Sequence, residues 1–203
     1  MCQPERVVER LSGMTNSVSE DMLSTGERTI RRRDAAMEPT SDELVDLLFR
    51  RHYVALLRLA VVMVGDREAA EDAVQDAFIA LHRNWRSLRD AENPEAYLRS
   101  TVLNRCRSWV RRQATQRAVR PLMLVREHHK SAEETIVDRD EVGSLVAAMR
   151  TLARRQREVL ACRFVLELSI AETAELLEIS EGSVKTHTHR GLKSLQQRIE
   201  VAQ

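Results

Sequence analysis

Several residue types are scarce in this chain of 203 residues, and each scarcity excludes a class of structure. Glycine occurs six times and proline four times, and no long stretch alternates between apolar and polar residues, which excludes a sheet-rich fold. Aromatic residues make up only 3%, which favours small domains with Leu, Ala and Val interiors over one large core. The sequence therefore predicts an all-α chain.

Cysteine is also scarce, and membrane-type segments are absent from the sequence. Cys2, Cys106 and Cys162 are odd in number and far apart, so they predict neither a disulfide framework nor a zinc site. Cys106 and Cys162 lie in helical patterns and are expected to be small core residues. There is no apolar run long enough to span a membrane and no apolar N-terminal signal segment. We predict a cytoplasmic protein that does not insert into membranes.

Catalytic and metal-binding constellations are lacking as well. Neither a clustered nucleophile nor a carboxylate triad is evident, so the sequence predicts no catalytic residue and no cofactor. His187 and His189 lie two residues apart and point to different faces of a helix, and no cysteine pair supports them as metal ligands. The net charge of +1 does not indicate what the protein binds, whereas the distribution of charge along the chain does.

Changes in composition divide the chain into four segments. Residues 1–40 are polar, interrupted by proline and glycine, and predicted to be a disordered extension, with a regulatory tail as the alternative. Residues 41–113 and 141–203 have helical periodicity and are predicted to form two small helical domains. Residues 114–140 lose that periodicity and are predicted to be a flexible linker.

A helix that begins after Gly65 is predicted to present an acidic face. Asp66 is positioned to cap the helix, and apolar residues recur at helical spacing as far as Leu81. The charge pattern leaves two interpretations open: a solvated surface, or a docking face for a basic protein surface. The acidic residues on this face are Asp66, Glu68, Glu71, Asp72 and Asp76, against a single Arg67.

The following helix carries an excess of arginine. Asn93 and Pro94 have the pattern of an N-cap followed by proline at the first helical position. No acidic residue lies between Glu95 and Glu127, whereas eight arginines do, with Trp109 among them. Arginine binds phosphate and aromatic rings stack on unpaired bases, so the pattern predicts nucleic-acid binding. The alternative is that the aromatic residues are core and the arginines merely solvated.

Two short helices near the C-terminus predict a helix-turn-helix. Ser169 and Glu172 form a capping-box sequence that starts the first helix, and Ser180 starts the second. The second helix has an apolar inward side and an outward side of short hydrogen-bonding and basic side chains, which can read base edges in the major groove. The alternative is a helical hairpin with a solvated face. The outward side comprises Glu181, Ser183, Lys185, Thr186, His187 and Arg190.

The order of these segments resembles that of the bacterial sigma factors of RNA polymerase. Among these, it resembles the small extracytoplasmic-function (ECF) group. GDREAAEDAVQDAFIALHRNW, followed by PEAYLRSTVLNRCRSWVRR, is similar to the second domain of that family. LARRQREVLACRFVLELSIAETAELLEISEGSVKTHTHRGLKSL is similar to its fourth domain. The chain departs from the family pattern at Ala153, where proline is usual, and at Glu178, where glycine is common.

The resemblance implies a specificity subunit that is not an enzyme and that directs core RNA polymerase to promoters. Asp72, Gln75 and Asp76 would dock on the clamp coiled coil, and the flap would be a second polymerase contact. The outward side of the second helix of the helix-turn-helix would read the −35 element. An anti-sigma factor is a further partner that the resemblance allows. The −10 element would be opened and bound by Asn104, Arg105, Arg107, Trp109, Arg111 and Arg112, with loop residues near Ser87–Asn93 holding an extruded base.

Two other functions remain open at this point. A stand-alone transcriptional regulator could use the same helix-turn-helix with the N-terminal half as a sensor or dimerisation module. A nucleic-acid-processing enzyme such as a recombinase would require a nucleophile or carboxylate cluster, which is not evident. The acidic helix followed directly by the arginine-rich helix favours the sigma-factor interpretation, because a stand-alone regulator needs neither.

Overall fold

The computed structural model describes residues 41–88, 93–119 and 141–201, and within these ranges every element of regular structure is a helix, as predicted. The predicted N-terminal extension, part of the base-holding loop and most of the predicted linker lie outside the described residues. The helices are α1 (Ser41–Val64), α2 (Arg67–Leu88), α3 (Pro94–Val119), α4 (Glu141–Arg150), α5 (Arg154–Phe164), α6 (Ile170–Leu177) and α7 (Glu181–Val201).

Local hydrogen bonds place the helix ends where the sequence predicted caps. Gly65 ends α1 with a backbone φ of +71°, a conformation that costs glycine little. The Asp66 carboxylate accepts a hydrogen bond from the backbone N–H of Ala69 at 2.9 Å. The Asn93 side-chain oxygen accepts one from the backbone N–H of Glu95, also at 2.9 Å. These bonds satisfy N–H groups that the first turn of a helix leaves without an internal partner.

Two predicted boundaries differ from the structure. The loop predicted near Ser87–Asn93 begins later, because α2 continues to Leu88. The linker predicted from residue 114 also begins later, because α3 continues to Val119. The residues after Gln113 include neither glycine nor proline before Pro121, so nothing in the local sequence stops the helix at the predicted place.

Helices α1, α2 and α3 pack together as an N-terminal bundle. The second half of α1 is apolar on nearly every side, and its residues from Leu56 to Val64 are buried except for the half-buried Val61. A helix that is apolar all round requires cover on more than one face. Helices α2 and α3 cover one side of α1, and α4 and α5 cover another.

Helices α4 to α7 form a C-terminal bundle in which α7 packs on α5 and α6. Val184 and Leu195 of α7 are buried, in agreement with the predicted inward side. Gly191 allows α7 to approach α5 closely, since a Cβ atom built there would lie 2.9 Å from Cδ1 of Leu160. This close approach fixes the position of the outward side of α7.

The two bundles contact one another, which was not expected from the sequence. Helix α1 packs against α4 and α5, and α3 packs against α6. The Arg150 side chain lies over Gly65 at the end of α1. A cleft of about 630 Å³ remains between α3 and α6, lined by Arg99 on one side and by Glu172 on the other. Because α1 packs against α4 and α5, the buried residues of both bundles form one continuous core.

Candidate polymerase and nucleic-acid interfaces

The acidic face of α2 is exposed and contains an apolar side chain. Asp72, Gln75 and Asp76, which the resemblance assigns to polymerase docking, are all exposed. Ile79 is 49% exposed, and its spacing from Asp72 and Asp76 places it on the same side of the helix. Ile79 was not among the residues predicted from the sequence to form this surface. The signal was present, since Ile79 lies three residues after Asp76 and seven after Asp72, on the acidic rather than the apolar side of the helix.

The acidic face of α2 also touches the arginine-rich helix. A carboxylate oxygen of Asp76 lies 3.4 Å from Nη1 of Arg105, and both side chains are about half exposed. An exposed ion pair of this kind stabilises a fold by about 0–1 kcal/mol, so either residue can be given up to a partner at little cost. The predicted docking surface and the predicted −10 surface are thus adjacent.

Helix α3 presents a basic stripe along its exposed side. Asn104, Arg105, Arg111 and Arg112 are all exposed. Their spacing of one, seven and eight residues places them on one side of an α-helix. Glu95 is the single carboxylate of α3 and lies in its first turn, far along the helix from this stripe. Arg111 and Arg112 are therefore available to a polyanion, and Arg105 becomes available when it leaves Asp76.

Arg107 and Trp109 lie at the edges of this stripe and are only partly accessible. Trp109 packs against the core with part of its surface. Arg107, with a side chain 23% exposed, donates from Nε and Nη2 to the two carboxylate oxygens of Glu158, at 2.9 and 3.2 Å. The resemblance assigns Arg107 to the −10 element, and in this structure the C-terminal bundle engages its side chain.

Glu158 is the centre of a buried charge network that was not predicted from the sequence. Its side chain is fully buried, and it also accepts a hydrogen bond from Arg155 at 3.0 Å. Arg154 lies 3.6 Å from its other oxygen. The signal was a lone glutamate directly after several arginines in LARRQRE, but no local rule predicts that it would be buried or paired with α3.

The outward side of α7 agrees with the sequence for most of its residues. Lys185 and Arg190 are exposed with Glu181 and Thr186, whereas Ser183 and His187 are half-buried. The Thr186 hydroxyl donates to the backbone carbonyl of Gly182 at 2.9 Å. Nδ1 of His187 is buried without a hydrogen-bond partner. The basic side chains of α7 are therefore more accessible to a partner than its hydroxyl and imidazole groups.

The turn before α7 keeps the helix-turn-helix geometry despite the departure at Glu178. Glu178 has a φ of 55° and a ψ of 49°, which is the left-handed conformation that glycine usually occupies. The N–H of Glu178 donates to the Glu175 carbonyl at 3.1 Å, and the N–H of Ile179 donates to Ala174 at 3.0 Å. These two bonds are those of a Schellman motif, so the glutamate adopts the backbone of the glycine it replaces.

The capping box predicted for α6 is confirmed. Ser169 accepts from the Glu172 N–H at 3.1 Å, and Glu172 accepts from the Ser169 N–H at 2.7 Å. The hydrogen bond from the Ser169 side chain, assisted by that from its backbone, holds the pKa of Glu172 below its usual range. The first helix of the motif thus starts where the sequence placed it.

The two cysteines that lie in helical patterns are small core residues, as predicted. Cys106 and Cys162 are buried and free. Burial raises the pKa of each thiol to about 12, so both are neutral near pH 7. Across the described ranges no three His, Cys, Asp or Glu side chains are grouped so as to hold a metal ion. Nor is any helix in those ranges long and apolar enough to cross a membrane.

Two family models match the chain in the expected order. Residues 48–116 match sigma-70 region 2, and residues 143–195 match sigma-70 region 4. The first match includes the exposed residues of α2 and most of α3. The second includes the helix-turn-helix.

Proteins of similar sequence are also named as RNA polymerase sigma factors. The chain is 31% identical to an RNA polymerase sigma-E factor of Streptomyces antibioticus over 75% of this chain and 83% of that protein. It is 32% identical to the ECF RNA polymerase sigma factor SigM of Mycobacterium tuberculosis over 71% of each chain. It is 29% identical to the ECF RNA polymerase sigma factor SigX of Bacillus subtilis over 79% of this chain and 86% of that one.

Solved structures show the same fold. CnrH in complex with the cytosolic domain of CnrY matches with a TM-score of 0.60 and 22% identity, over 80% of this chain and 91% of the other. The sigma factor RpoE of Bartonella quintana in complex with the anti-sigma factor NepR matches with a TM-score of 0.58 and 20% identity, over 78% and 99%. With both sigma-70 regions and relatives above 30% identity, this chain belongs to the ECF group of RNA polymerase sigma factors, which direct promoter-specific initiation of transcription.

Proposed function

We propose that this sigma factor acts through three surfaces, on α2, α3 and α7, and that the polymerase rather than this chain performs the chemistry. The observation that carries the proposal is the exposed acidic face of α2 lying beside the exposed basic stripe of α3, in a chain that also contains a helix-turn-helix. A protein that only bound an operator would need the third surface alone.

The α2 face suits a partner helix that is basic and partly apolar. Asp72 and Asp76 would pair with its cations, and Gln75 would donate or accept hydrogen bonds between them. Ile79 would supply an apolar contact beside them. This chemistry supports core polymerase docking by Asp72, Gln75 and Asp76, with Ile79 as a fourth contact.

The α3 stripe suits a single strand of the −10 element. Arg105, Arg111 and Arg112 would neutralise phosphates, and Asn104 would hydrogen-bond to a base edge. Trp109, at the edge of the stripe, exposes part of its ring for stacking on an unpaired base. Arg107 can join them only when it leaves Glu158.

Helix α7 suits the major groove of the −35 element. Lys185 and Arg190 would contact phosphates or guanine, and Ser183, Thr186 and His187 would contact bases at closer range. Glu181, in the first turn, can accept from the amino group of cytosine. We further propose that residues 41–113 and 141–203 are the two promoter-binding units, and that an anti-sigma factor regulates them.

Run-off transcription with purified core polymerase and a promoter library tests the proposal. The full chain is expected to direct initiation at defined start sites, and Asp72→Lys is expected to reduce run-off product by more than about tenfold, because like charges at an interface cost several kcal/mol. Glu167→Lys makes the same charge change at an exposed site away from α2 and is expected to leave the product unchanged.

Each alternative gives a different outcome in that assay. Specific DNA binding without any polymerase-dependent product would indicate a stand-alone regulator. Strand cleavage or joining without polymerase would indicate an enzyme. Full run-off activity of Asp72→Lys would contradict the docking assignment while leaving the sigma-factor assignment intact.

A further inference from the structure

One side of α1 carries residues at alternating intervals of three and four, which is the spacing of a coiled-coil seam. The seam begins with Leu44, Leu47, Arg51 and Val54 and continues through Arg58 to Gly65. Its C-terminal end is covered, since Arg58 is 9% exposed and Gly65 lies under Arg150 of α4. At its N-terminal end Leu47 is 60% exposed, and its neighbours on the seam are exposed or half-buried. We call Leu44, Leu47, Arg51 and Val54 the open side of α1.

The open side of α1 faces away from α2. The ring of Phe49 contacts that of Phe78 in α2, with 5.0 Å between the ring centroids. Leu47 lies two positions before Phe49, which is about 200° around an α-helix. The open side of α1 is therefore separate from the acidic face of α2 to which polymerase docking is assigned.

A second seam of the same spacing lies in the sequence before α1. Its members, at intervals of four, three and four residues, are Val7, Leu11, Met14 and Val18. The next interval reaches Asp21, so each seam contains one charged position, and Asp21 and Arg51 have opposite signs. Two helices whose seams share this spacing pack side by side, with the side chains of one seam between those of the other.

We propose that the N-terminal segment Val7–Asp21 forms a helix that packs on the open side of α1. The inference goes beyond the proposed function, because none of the three surfaces on α2, α3 and α7 includes this side of α1. The composition of residues 1–40 predicts disorder, and a short helix is marginal in water until it packs against a partner. Helix α1 is that partner, and the predicted extension is a regulatory tail with a docking site.

The length of the chain and its charge both suit this occupant. Nineteen residues separate Asp21 from Ser41, and they can span up to about 60 Å. The open side of α1 is only about 15 Å long, so the segment can lie along it in either direction. A second copy of the protein would bring a second Arg51 to the seam, whereas the segment brings a carboxylate.

Disulfide cross-linking in the full chain tests the contact directly. Leu47→Cys is combined with one cysteine in the segment, in a Cys2→Ser background, while Cys106 and Cys162 are buried. The seam variants are Leu11→Cys, Met14→Cys and Val18→Cys, and the matched controls on the opposite side of the segment are Glu9→Cys, Asn16→Cys and Glu20→Cys. At least one seam variant is expected to form the intramolecular disulfide about tenfold faster than every control, because docking raises the effective concentration.

The alkylation rate of Leu47→Cys alone, in the same background, is a second measurement. Leu11→Asp with Val18→Asp puts two charges on the seam of the segment and is expected to raise the rate about fivefold, as for a site covered about four-fifths of the time. Ser12→Asp with Asn16→Asp adds the same charge on the other side and is expected to leave the rate unchanged. Circular dichroism of each variant checks that the described helices remain folded.

Three results would overturn the proposal. Equal disulfide rates at seam and control positions would show that the segment is tethered to α1 without docking on it. Disulfide-linked dimers of Leu47→Cys that increase with protein concentration would assign the open side of α1 to a second copy. An alkylation rate that Leu11→Asp with Val18→Asp leaves unchanged would exclude the segment as the cover. Neither measurement involves polymerase or DNA, so a failure here leaves the proposed function untouched.

Discussion

Glu178 shows how a single residue can carry a local cost without altering the motif around it. Its left-handed backbone costs a residue with a Cβ about 1–2 kcal/mol. The two hydrogen bonds of the Schellman motif and the packing of Leu177 hold it in place. At the other departure, Ala153, φ is −55° and ψ is 141°, which is the backbone that proline itself adopts. At both positions the chain adopts the backbone conformation of the residue that is usual in the family, although the residue itself differs.

Glu178→Gly is expected to raise the free energy of unfolding by about 0.5–1 kcal/mol, since relief of strain exceeds the added entropy of the unfolded chain. Urea denaturation followed by circular dichroism measures this. Glu175→Gly, three residues earlier inside α6, is the matched control and is expected to lower it by about 1 kcal/mol. If both substitutions lowered the free energy of unfolding, the side chain of Glu178 would stabilise the protein by more than its left-handed backbone destabilises it.

Helix α3 has two roles at the scale of an element. Its inward side supplies Leu98, Val102, Leu103 and Cys106 to the core, and its outward side supplies the basic stripe. Arg111 and Arg112 are exposed and follow Cys106, the last fully buried residue in the described part of α3. These two arginines can therefore be replaced with little effect on packing.

Arg111→Ala combined with Arg112→Ala is expected to weaken promoter opening by the polymerase complex, seen by permanganate footprinting. Each phosphate contact to a single strand contributes about 0.7 to the slope of log affinity against log salt, so the slope for a −10 oligonucleotide should fall by about 1.4. Arg50→Ala with Arg51→Ala removes the same charge from α1, where both side chains are largely exposed, and should change neither quantity. An unchanged slope would exclude these arginines from the groove.

At the scale of the whole molecule, the described helices behave as one packed body. The buried side of α1 is shared between the two bundles, and the Arg107–Glu158 pair adds a charged contact between them. Neither bundle can separate without uncovering apolar surface of the other. Contact between the bundles therefore couples their stabilities.

Urea unfolding of the free protein is expected to be a single cooperative transition. Trp85 and Trp109 both lie in the N-terminal bundle, so their fluorescence reports that bundle, whereas circular dichroism reports the helices of both. The two curves should share one midpoint, because unfolding of one bundle removes the cover of the other. Loss of part of the helical signal at a urea concentration where tryptophan fluorescence is unchanged would show that the bundles unfold independently.

The sequence by itself determined the helices, most of their caps and the chemistry of the three exposed surfaces. Caps and faces depend on residues one to four positions apart, so Asp66, Asn93 and the Ser169–Glu172 pair could be identified without a structure. The basic stripe of α3 and the acidic face of α2 followed from the same periodicity.

Only the tertiary structure decided which elements meet. Arg107 is one of eight arginines in its stretch, and nothing in its neighbourhood distinguishes it from Arg111. Its partner Glu158 lies 51 residues away, and their pairing depends on how α1 packs between α3 and α5. Distances between remote side chains follow from packing rather than from local periodicity, because short-range patterns fix the direction of a side chain but not its neighbours from other helices.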